Sequence, residues 1–228
     1  MNNSDFEKNT VSAENQVDVF KLVRKTEKEN AALKVTFVGN SITIHGVKKD
    51  IGWDRECGMA ASCLENDYVH QTVKMLEETY GPVSYCVVHA ADWERQFYDP
   101  SVLDLFKEAK DFDEDVLVIR IGENSDTEKV KTVPYAPCFE RMIDYFRNDH
   151  CKTFVTSLFW RYDPFDVPIE EVAKKRNFTF IPIDDLGEKA ECKALGEFWH
   201  GGVAKHPNDY GMKCIAERIA RAVKGELK

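Results

Sequence analysis

Short apolar runs rich in β-branched residues alternate with longer, helix-like stretches along most of the chain. The runs have the length and composition of buried strands, and the stretches between them carry apolar residues at helical spacing. Because a parallel crossover needs a connection of helix length, this alternation predicts a parallel sheet with helices on both faces. The predicted strands are 34–38, 83–88, 115–121, 152–157 and 178–183, and the predicted helices are 58–79, 101–109, 135–147, 168–176 and 208–224. The fold expected is therefore a three-layer α/β/α sandwich around a five-stranded parallel sheet.

The region before the first predicted strand has two parts. Residues 1–12 are polar and are predicted to be a disordered tail. An amphipathic helix is predicted over 13–31, where apolar residues recur at helical spacing among charges: Val17, Phe20, Leu22 and Val23. No internal repeat, linker or second composition regime follows, so 13–228 is predicted to form a single domain.

Composition and charge exclude several classes of protein. The chain has 228 residues, of which 43% are apolar and 31% charged, as is typical of a soluble globular protein. With 31 Lys and Arg against 40 Asp and Glu, the net charge is −9. No basic surplus is left to neutralise phosphates, so no nucleic-acid partner is expected. No apolar run approaches the roughly 20 residues that a membrane span needs, so no membrane association is expected.

A cytoplasmic location is also expected. The polar segment 1–30 lacks the apolar core of a secretory signal. The seven cysteines are an odd number and never occur as C-x-x-C, which argues against a zinc ribbon or a thioredoxin-like motif. Free thiols are typical of a reducing compartment.

A serine and a histidine occupy positions that suit nucleophilic catalysis. Ser41 follows directly after the first predicted strand, at the edge where open α/β sheets bind ligands. His206 lies just before the predicted C-terminal helix. A serine hydroxyl is a weak nucleophile unless a base within hydrogen-bond reach takes its proton. The two residues therefore form a candidate nucleophile and base.

Three segments resemble the sequence blocks of the SGNH (GDSL-like) hydrolases. Gly39-Asn40-Ser41 resembles the nucleophile block, with asparagine where aspartate is commoner. Arg120-Ile-Gly-Glu-Asn124 resembles the Gly-x-Asn block, and His206-Pro-Asn-Asp-Tyr-Gly-Met212 resembles the C-terminal histidine block. The segments come in family order and together cover about 33–224. The resemblance implies the flavodoxin-like fold of that family and ester hydrolysis or a related acyl transfer, with no cofactor.

The resemblance also implies roles for individual residues. Ser41 would be the nucleophile and His206 the general base. The oxyanion would be held by the backbone N–H of Ser41 and the side-chain amide of Asn124, with a third N–H from Ala90 or Ala91.

Two features depart from the family pattern. The family usually has a glycine after the second strand, but 88–92 contains none. The family's base-orienting aspartate lies three residues before the histidine, where this chain has Val203. Either a Ser–His dyad operates, or Glu197, Asp209 or a backbone carbonyl orients the imidazole.

Long segments at the carboxyl edge of the sheet carry the candidate substrate contacts. Trp53, Trp93 and Trp160 would stack on a substrate or cover the core, and Arg95 would bind an anionic group or form a surface ion pair. Glu123 would pair with Arg120, which lies within an apolar strand, or point into the pocket. No metal is expected, because His45, His89 and His200 show no ligand spacing such as H-x-x-x-H.

The function expected from these residues is a serine esterase that removes short acyl groups, such as O-acetyl, from a sugar or other small molecule. Two alternatives stay open: a protein that keeps the fold and binds a small molecule without turnover, and an acyltransferase. Assembly into a homo-oligomer also stays open.

Overall fold

The structure, a computed structural model, describes residues 20–227 and contains a six-stranded sheet. The strands are β1 (Val23–Thr26), β2 (Leu33–Gly39), β3 (Val83–His89), β4 (Val116–Arg120), β5 (Lys152–Thr156) and β6 (Thr179–Ile181). They lie in the order β1-β3-β2-β4-β5-β6, and every neighbouring pair is parallel except β1 with β3. The predicted α/β fold class is confirmed, with one strand more than expected.

The additional strand corrects the predicted helix over 13–31. Residues 23–26 form β1, which pairs antiparallel with β3 so that Val23 lies opposite Val88. Val23 is buried and Arg24 half-buried, whereas Lys25 and Thr26 are exposed, so burial decreases along this edge strand. The strand conformation forms here because hydrogen bonding to the free edge of β3 outweighs the weak helical spacing of the local sequence. The predicted tail 1–12, and the start of the predicted helix, lie outside the described residues.

Seven α-helices connect or flank these strands in residues 20–227. They are α1 (Tyr68–Tyr80), α2 (Ala91–Arg95), α3 (Tyr135–Phe146), α4 (Asp163–Lys175), α5 (Asp184–Glu188), α6 (Gly201–Ala204) and α7 (Asp209–Glu226). A long 3₁₀ helix, Pro100–Phe112, follows α2, and short ones occupy Lys49–Ile51, Leu64–Asn66, Lys129–Lys131 and Ala190–Cys192.

The predicted helix over 58–79 is ten residues too long at its start. Residue Asp67 ends the preceding loop by accepting hydrogen bonds from the backbone N–H of His70 at 2.9 Å and of Gly58 at 3.2 Å. The first of these contacts caps the N-terminus of α1. The loop that remains, 58–67, packs beside Ser41, whose carbonyl accepts from the N–H of Met59 at 2.8 Å.

Helices cover both faces of the sheet, as the alternation of strands and helices predicts. On one face α1 and α7 pack against alternate residues of β2, such as Val35 and Phe37. On the other face α3, α4 and Pro100–Phe112 pack around Val38. Because β2 is buried on both sides, its carboxyl end is held rigidly at the centre of the sheet. None of the helices in residues 20–227 is both long and apolar enough to cross a membrane.

Candidate active site

The carboxyl ends of the three central strands bring the candidate residues to one edge. Gly39, the last residue of β2, lies in register with His89 of β3 and Arg120 of β4. The chain approaches itself so closely there that a Cβ on Gly39 would collide with the Thr43 hydroxyl and lie 2.7 Å from the carbonyl oxygen of Arg120. Only glycine fits this position, and it directs the chain into the turn that carries Ser41.

Ser41 and His206 are in direct contact. The Ser41 Oγ lies 2.9 Å from the His206 Nε2, although the residues are 165 positions apart. His206 lies in the loop between α6 and α7. Its position is fixed because the His206 N–H donates to the Val203 carbonyl and the His206 carbonyl accepts from the N–H of Ala194. Asn208 then caps α7 by accepting from the N–H of Gly211 at 2.9 Å. The distance is that of a nucleophile and its base.

A backbone carbonyl orients the imidazole. The His206 Nδ1 lies 2.8 Å from the carbonyl oxygen of Gly202, which can only accept, so the proton is on Nδ1 and Nε2 is free to accept from Ser41. Asp209 instead accepts from the backbone N–H of Ser62 at 2.8 Å and from Asn66 at 2.9 Å. Glu197 is exposed, and no hydrogen bond joins it to the imidazole. Of the three predicted orienting groups, the carbonyl is the one that contacts the ring.

Burial keeps this histidine neutral. It lowers the pKa of His206 to about 4, against the partial opposing effect of the Gly202 carbonyl. At neutral pH the imidazole is therefore unprotonated and able to accept a proton.

Asn124, the predicted oxyanion donor, is held by a buried glutamate. Its side-chain Nδ2 donates to Glu94 Oε2 at 2.6 Å, and its backbone N–H reaches Oε1 at 3.3 Å. The Oε1 atom also accepts from the N–H of Gly122 at 2.7 Å and from Asn40 Nδ2 at 2.8 Å. An amide nitrogen carries two hydrogens, so Asn124 keeps one for a second acceptor while Glu94 fixes the plane of the amide.

Glu94 is the residue that the sequence interpretation missed. It is fully buried in α2 and lies three positions after Ala91, on the same side of the helix as this predicted oxyanion donor. Burial, followed by the nearby Glu123 carboxylate, raises the pKa of Glu94. The available signal was an acidic residue three positions after Ala91 and directly after Trp93.

Glu123 belongs to a buried ion pair below the site. Its Oε1 accepts from Arg120 Nη1 at 2.7 Å, and its side chain is 5% exposed. Arg120 also donates to the Asn40 side chain, and Asn40 in turn donates to Glu123 at 2.6 Å. The predicted substrate contact by Glu123 is therefore corrected to the alternative, structural pairing with Arg120.

A small cavity opens over the Ser41 hydroxyl. Its volume is about 220 Å³. The residues that line it are Ser41, His45, Ile51, Met59, His89, Ala91, Arg95, Asn124, His200, Gly202, Val203 and His206. All four residues predicted to form the nucleophile, base and oxyanion donors therefore face one cavity, together with Arg95.

The tryptophans are placed differently from one another. Trp93 is 1% exposed and packs against Tyr135 and Phe139, and Trp53 is 0% exposed beside Phe198. The predicted substrate contacts by Trp53 and Trp93 are therefore wrong, because both side chains are buried in the core.

Trp160 is partly exposed. Its ring packs edge-on against the His206 imidazole, with centroids 5.2 Å apart, and it lines a neighbouring cavity of about 320 Å³. It remains a candidate contact.

No protein-family model matches the sequence, and no curated protein sequence matches it either. Solved structures do match. The psychrotrophic esterase EstA from Pseudoalteromonas sp. has a TM-score of 0.55 at 12% identity over 85% of this chain and 98% of its own. A protein designated a GDSL-like lipase from Bacteroides ovatus has a TM-score of 0.56 at 12% identity over 86% and 99%. A two-domain esterase active on acetylated mannans has a TM-score of 0.55 at 15% identity over 86% of this chain and 49% of its own. The chain therefore has the fold of the GDSL-like (SGNH) esterases and lipases.

Proposed function

We propose that this protein is a serine esterase that hydrolyses short acyl esters through an acyl-Ser41 intermediate. The observation that carries the proposal is the 2.9 Å contact between Ser41 Oγ and His206 Nε2. The proton on Nδ1, held by Gly202, leaves Nε2 as the acceptor that a general base needs.

The proposed reaction has two stages. Ser41 Oγ bonds to the ester carbonyl carbon while its proton moves to His206 Nε2, and the carbonyl oxygen becomes an oxyanion. Collapse of this intermediate breaks the bond to the alcohol oxygen, which leaves with the proton from Nε2. Water then loses a proton to Nε2 and attacks the acyl group, and the proton returns to Ser41 as the carboxylic acid departs.

The oxyanion would be held by the N–H groups of Ser41 and Ala91 and by the Asn124 amide. In other enzymes, removing one such donor costs roughly 2.7–4 kcal/mol of transition-state stabilisation. Glu94 acts here as a positioning residue, since it fixes the Asn124 amide through the 2.6 Å contact.

The size of the cavity supports a small acyl group. Its volume of about 220 Å³ is below the roughly 300–1,000 Å³ of sites that enclose drug-sized ligands. An O-acetyl ester of a sugar or other small molecule fits this limit, and one protein of the same fold is an esterase active on acetylated mannans.

Hydrolysis of p-nitrophenyl acetate, butyrate and octanoate by the wild type and by Ser41→Ala and His206→Ala tests the proposal. We expect the short esters to be hydrolysed fastest and both variants to fall to background. Ser62→Ala is a matched control, because Ser62 is an exposed serine outside the cavity whose hydroxyl donates a hydrogen bond to Asp209. This variant should keep wild-type rates.

A fluorophosphonate probe gives an independent readout. It should label the wild type and Ser62→Ala but not Ser41→Ala. No turnover together with no labelling of the wild type would refute the esterase and favour a binding protein.

A further inference from the structure

The charge of the cavity wall differs from that of the whole chain. The protein has 40 Asp and Glu against 31 Lys and Arg. Among residues 20–227, however, those that line the cavity include Arg95 and four histidines and no carboxylate. The histidines are His45, His89, His200 and His206. Because the cavity wall of this otherwise acidic protein carries an arginine and no carboxylate, the cavity favours a negatively charged ligand.

Arg95 has unused hydrogen-bonding capacity. It is the last residue of α2, and its Nη1 donates to Asp92 at 3.2 Å. The two side chains are 58% and 40% exposed, so this ion pair is a weak surface contact that a ligand can share. Within the described part of the chain the other guanidinium N–H groups make no hydrogen bond. A guanidinium presents paired N–H groups that match the two oxygens of a carboxylate.

Two of the histidines sit in a positive environment. Burial is the main cause that lowers the pKa of His45, and the nearby Lys48 and Arg95 lower it further. Burial also lowers the pKa of His89 to about 4, where His45 and Arg95 act in the same direction and Asp92 opposes them. Both imidazoles are therefore uncharged at neutral pH, and Arg95 supplies positive charge to the cavity wall. The Nδ1 of His89 is moreover buried without a hydrogen-bond partner in the described residues.

A third histidine supplies a donor. The His200 Nδ1 accepts from the backbone N–H of Val203 at 3.4 Å, which leaves the proton on Nε2. The acid in contact with Arg95 is Asp92, and this exposed pair is open to competition from a ligand. The oxygens of Glu94 and Glu123 instead accept hydrogen bonds from residues beneath the cavity.

We propose that the natural ester carries a carboxylate, which Arg95 binds with support from the imidazoles of His89 and His200. The inference rests on the proposed esterase function and narrows its substrate class. The carboxylate can belong to the acyl half or to the alcohol half of the ester, and the two halves are tested separately.

Two matched pairs of substrates distinguish a carboxylate in the acyl half from one in the alcohol half. For the acyl half, the p-nitrophenyl monoester of succinic acid is compared with that of succinamic acid, in which a neutral amide replaces the carboxylate at equal size. For the alcohol half, 4-acetoxybenzoate is compared with 4-acetoxybenzamide. We expect kcat/KM to favour the anionic member of one pair by about tenfold, the lower end of what a hydrogen bond to a charged group contributes.

Arg95→Gln assigns the preference to this side chain. It should remove most of the preference, mainly by raising KM for the anionic ester, so that the two members of the pair are hydrolysed with similar kcat/KM. Arg95→Lys should retain part of it, and added salt should weaken it in the wild type. Lys213→Gln is the matched control, since Lys213 is an exposed cation (56% against 58% for Arg95) paired with Glu217 and does not line the cavity.

The possible failures are distinct. Hydrolysis of neutral esters with no anionic preference in either pair, or a preference that survives in Arg95→Gln, would overturn the inference and leave the esterase intact. If the wild type hydrolysed neither the neutral nor the anionic esters, the proposed esterase function itself would be overturned.

Discussion

Glu94→Gln tests whether a buried carboxylate holds the proposed oxyanion donor. The glutamate uses both oxygens: Oε1 accepts from Asn40, Gly122 and the Asn124 backbone, and Oε2 accepts from the Asn124 amide. Glutamine has almost the same shape but replaces one oxygen with an NH₂ group. The variant therefore removes one acceptor without opening a cavity.

The magnitude follows from which oxygen is replaced. If the NH₂ group takes the place of Oε2, it faces the Asn124 nitrogen at 2.6 Å, donor against donor, and the Asn124 amide must turn away. We then expect kcat to fall by about 10²–10³, as when one oxyanion donor is removed. In the opposite orientation the N–H of Gly122 loses its acceptor, and the free energy of unfolding falls by about 1–3 kcal/mol.

A double-mutant cycle supplies the assay. We would measure kcat on p-nitrophenyl acetate for the wild type, Glu94→Gln, Asn124→Ala and the double variant, and follow thermal unfolding of each. If Glu94 acts through Asn124, the double variant is no slower than Asn124→Ala alone. Losses that multiply in the double variant, with folding intact, would refute the reasoning.

The pH profile gives a second readout. Because its pKa is raised, Glu94 takes up a proton before His206 does as the pH falls. The protonated carboxyl has one acceptor oxygen fewer for its four hydrogen bonds, so its hold on the Asn124 amide weakens. We expect kcat/KM of the wild type to decline with this step. In Glu94→Gln the step is absent, so the decline should move toward pH 4, where His206 protonates. Unchanged profiles would contradict the assignment.

Three further predictions concern the frame of the site. Asp209→Asn should leave kcat within about twofold but lower the free energy of unfolding by roughly 1–2 kcal/mol, because this side chain ties the N-terminus of α7 to Ser62 rather than to His206; a large loss of kcat would refute that. Val203→Asp, which introduces the aspartate of the SGNH pattern at this position, should not raise kcat and should destabilise the fold by roughly 2 kcal/mol or more, because this side chain is 1% exposed; denaturant unfolding measures the loss of stability, and a gain in kcat would contradict the prediction. Gly39→Ala should cost about 1–3 kcal/mol of stability and most of the activity, because its methyl group has no room beside the carbonyl of Arg120; wild-type melting and rates would disprove the clash.

The parallel part of the fold could be predicted because its signals are local. Each β-branched run, such as 35–38 and 116–119, is long and apolar enough to indicate a buried strand. The strand Val23–Thr26 could not be predicted in this way. Its conformation depends on pairing with a strand that begins 57 residues after its last residue, at Val83, and its own residues carry too short a pattern.

The candidate site was predictable where it follows strand ends and not where it depends on side-chain direction. Ser41 and Asn124 each follow a central parallel strand, so their common edge could be inferred. The inward turn of Trp93, and the fit of Glu94 beneath Asn124, depend on the packing of α2, which periodicity over five residues does not specify.

The hydrogen bond between His206 and the Gly202 carbonyl affects which sequence changes the active site tolerates. Every amino acid carries a backbone carbonyl, so replacing Gly202 with another residue does not remove the acceptor itself. The spacing of four residues between carbonyl and imidazole does matter, since one inserted or deleted residue in 202–206 would move the acceptor away from Nδ1. Lys205→Ala, at an exposed position of this loop, should therefore keep wild-type activity, whereas a single insertion or deletion within 202–206 should remove most of it.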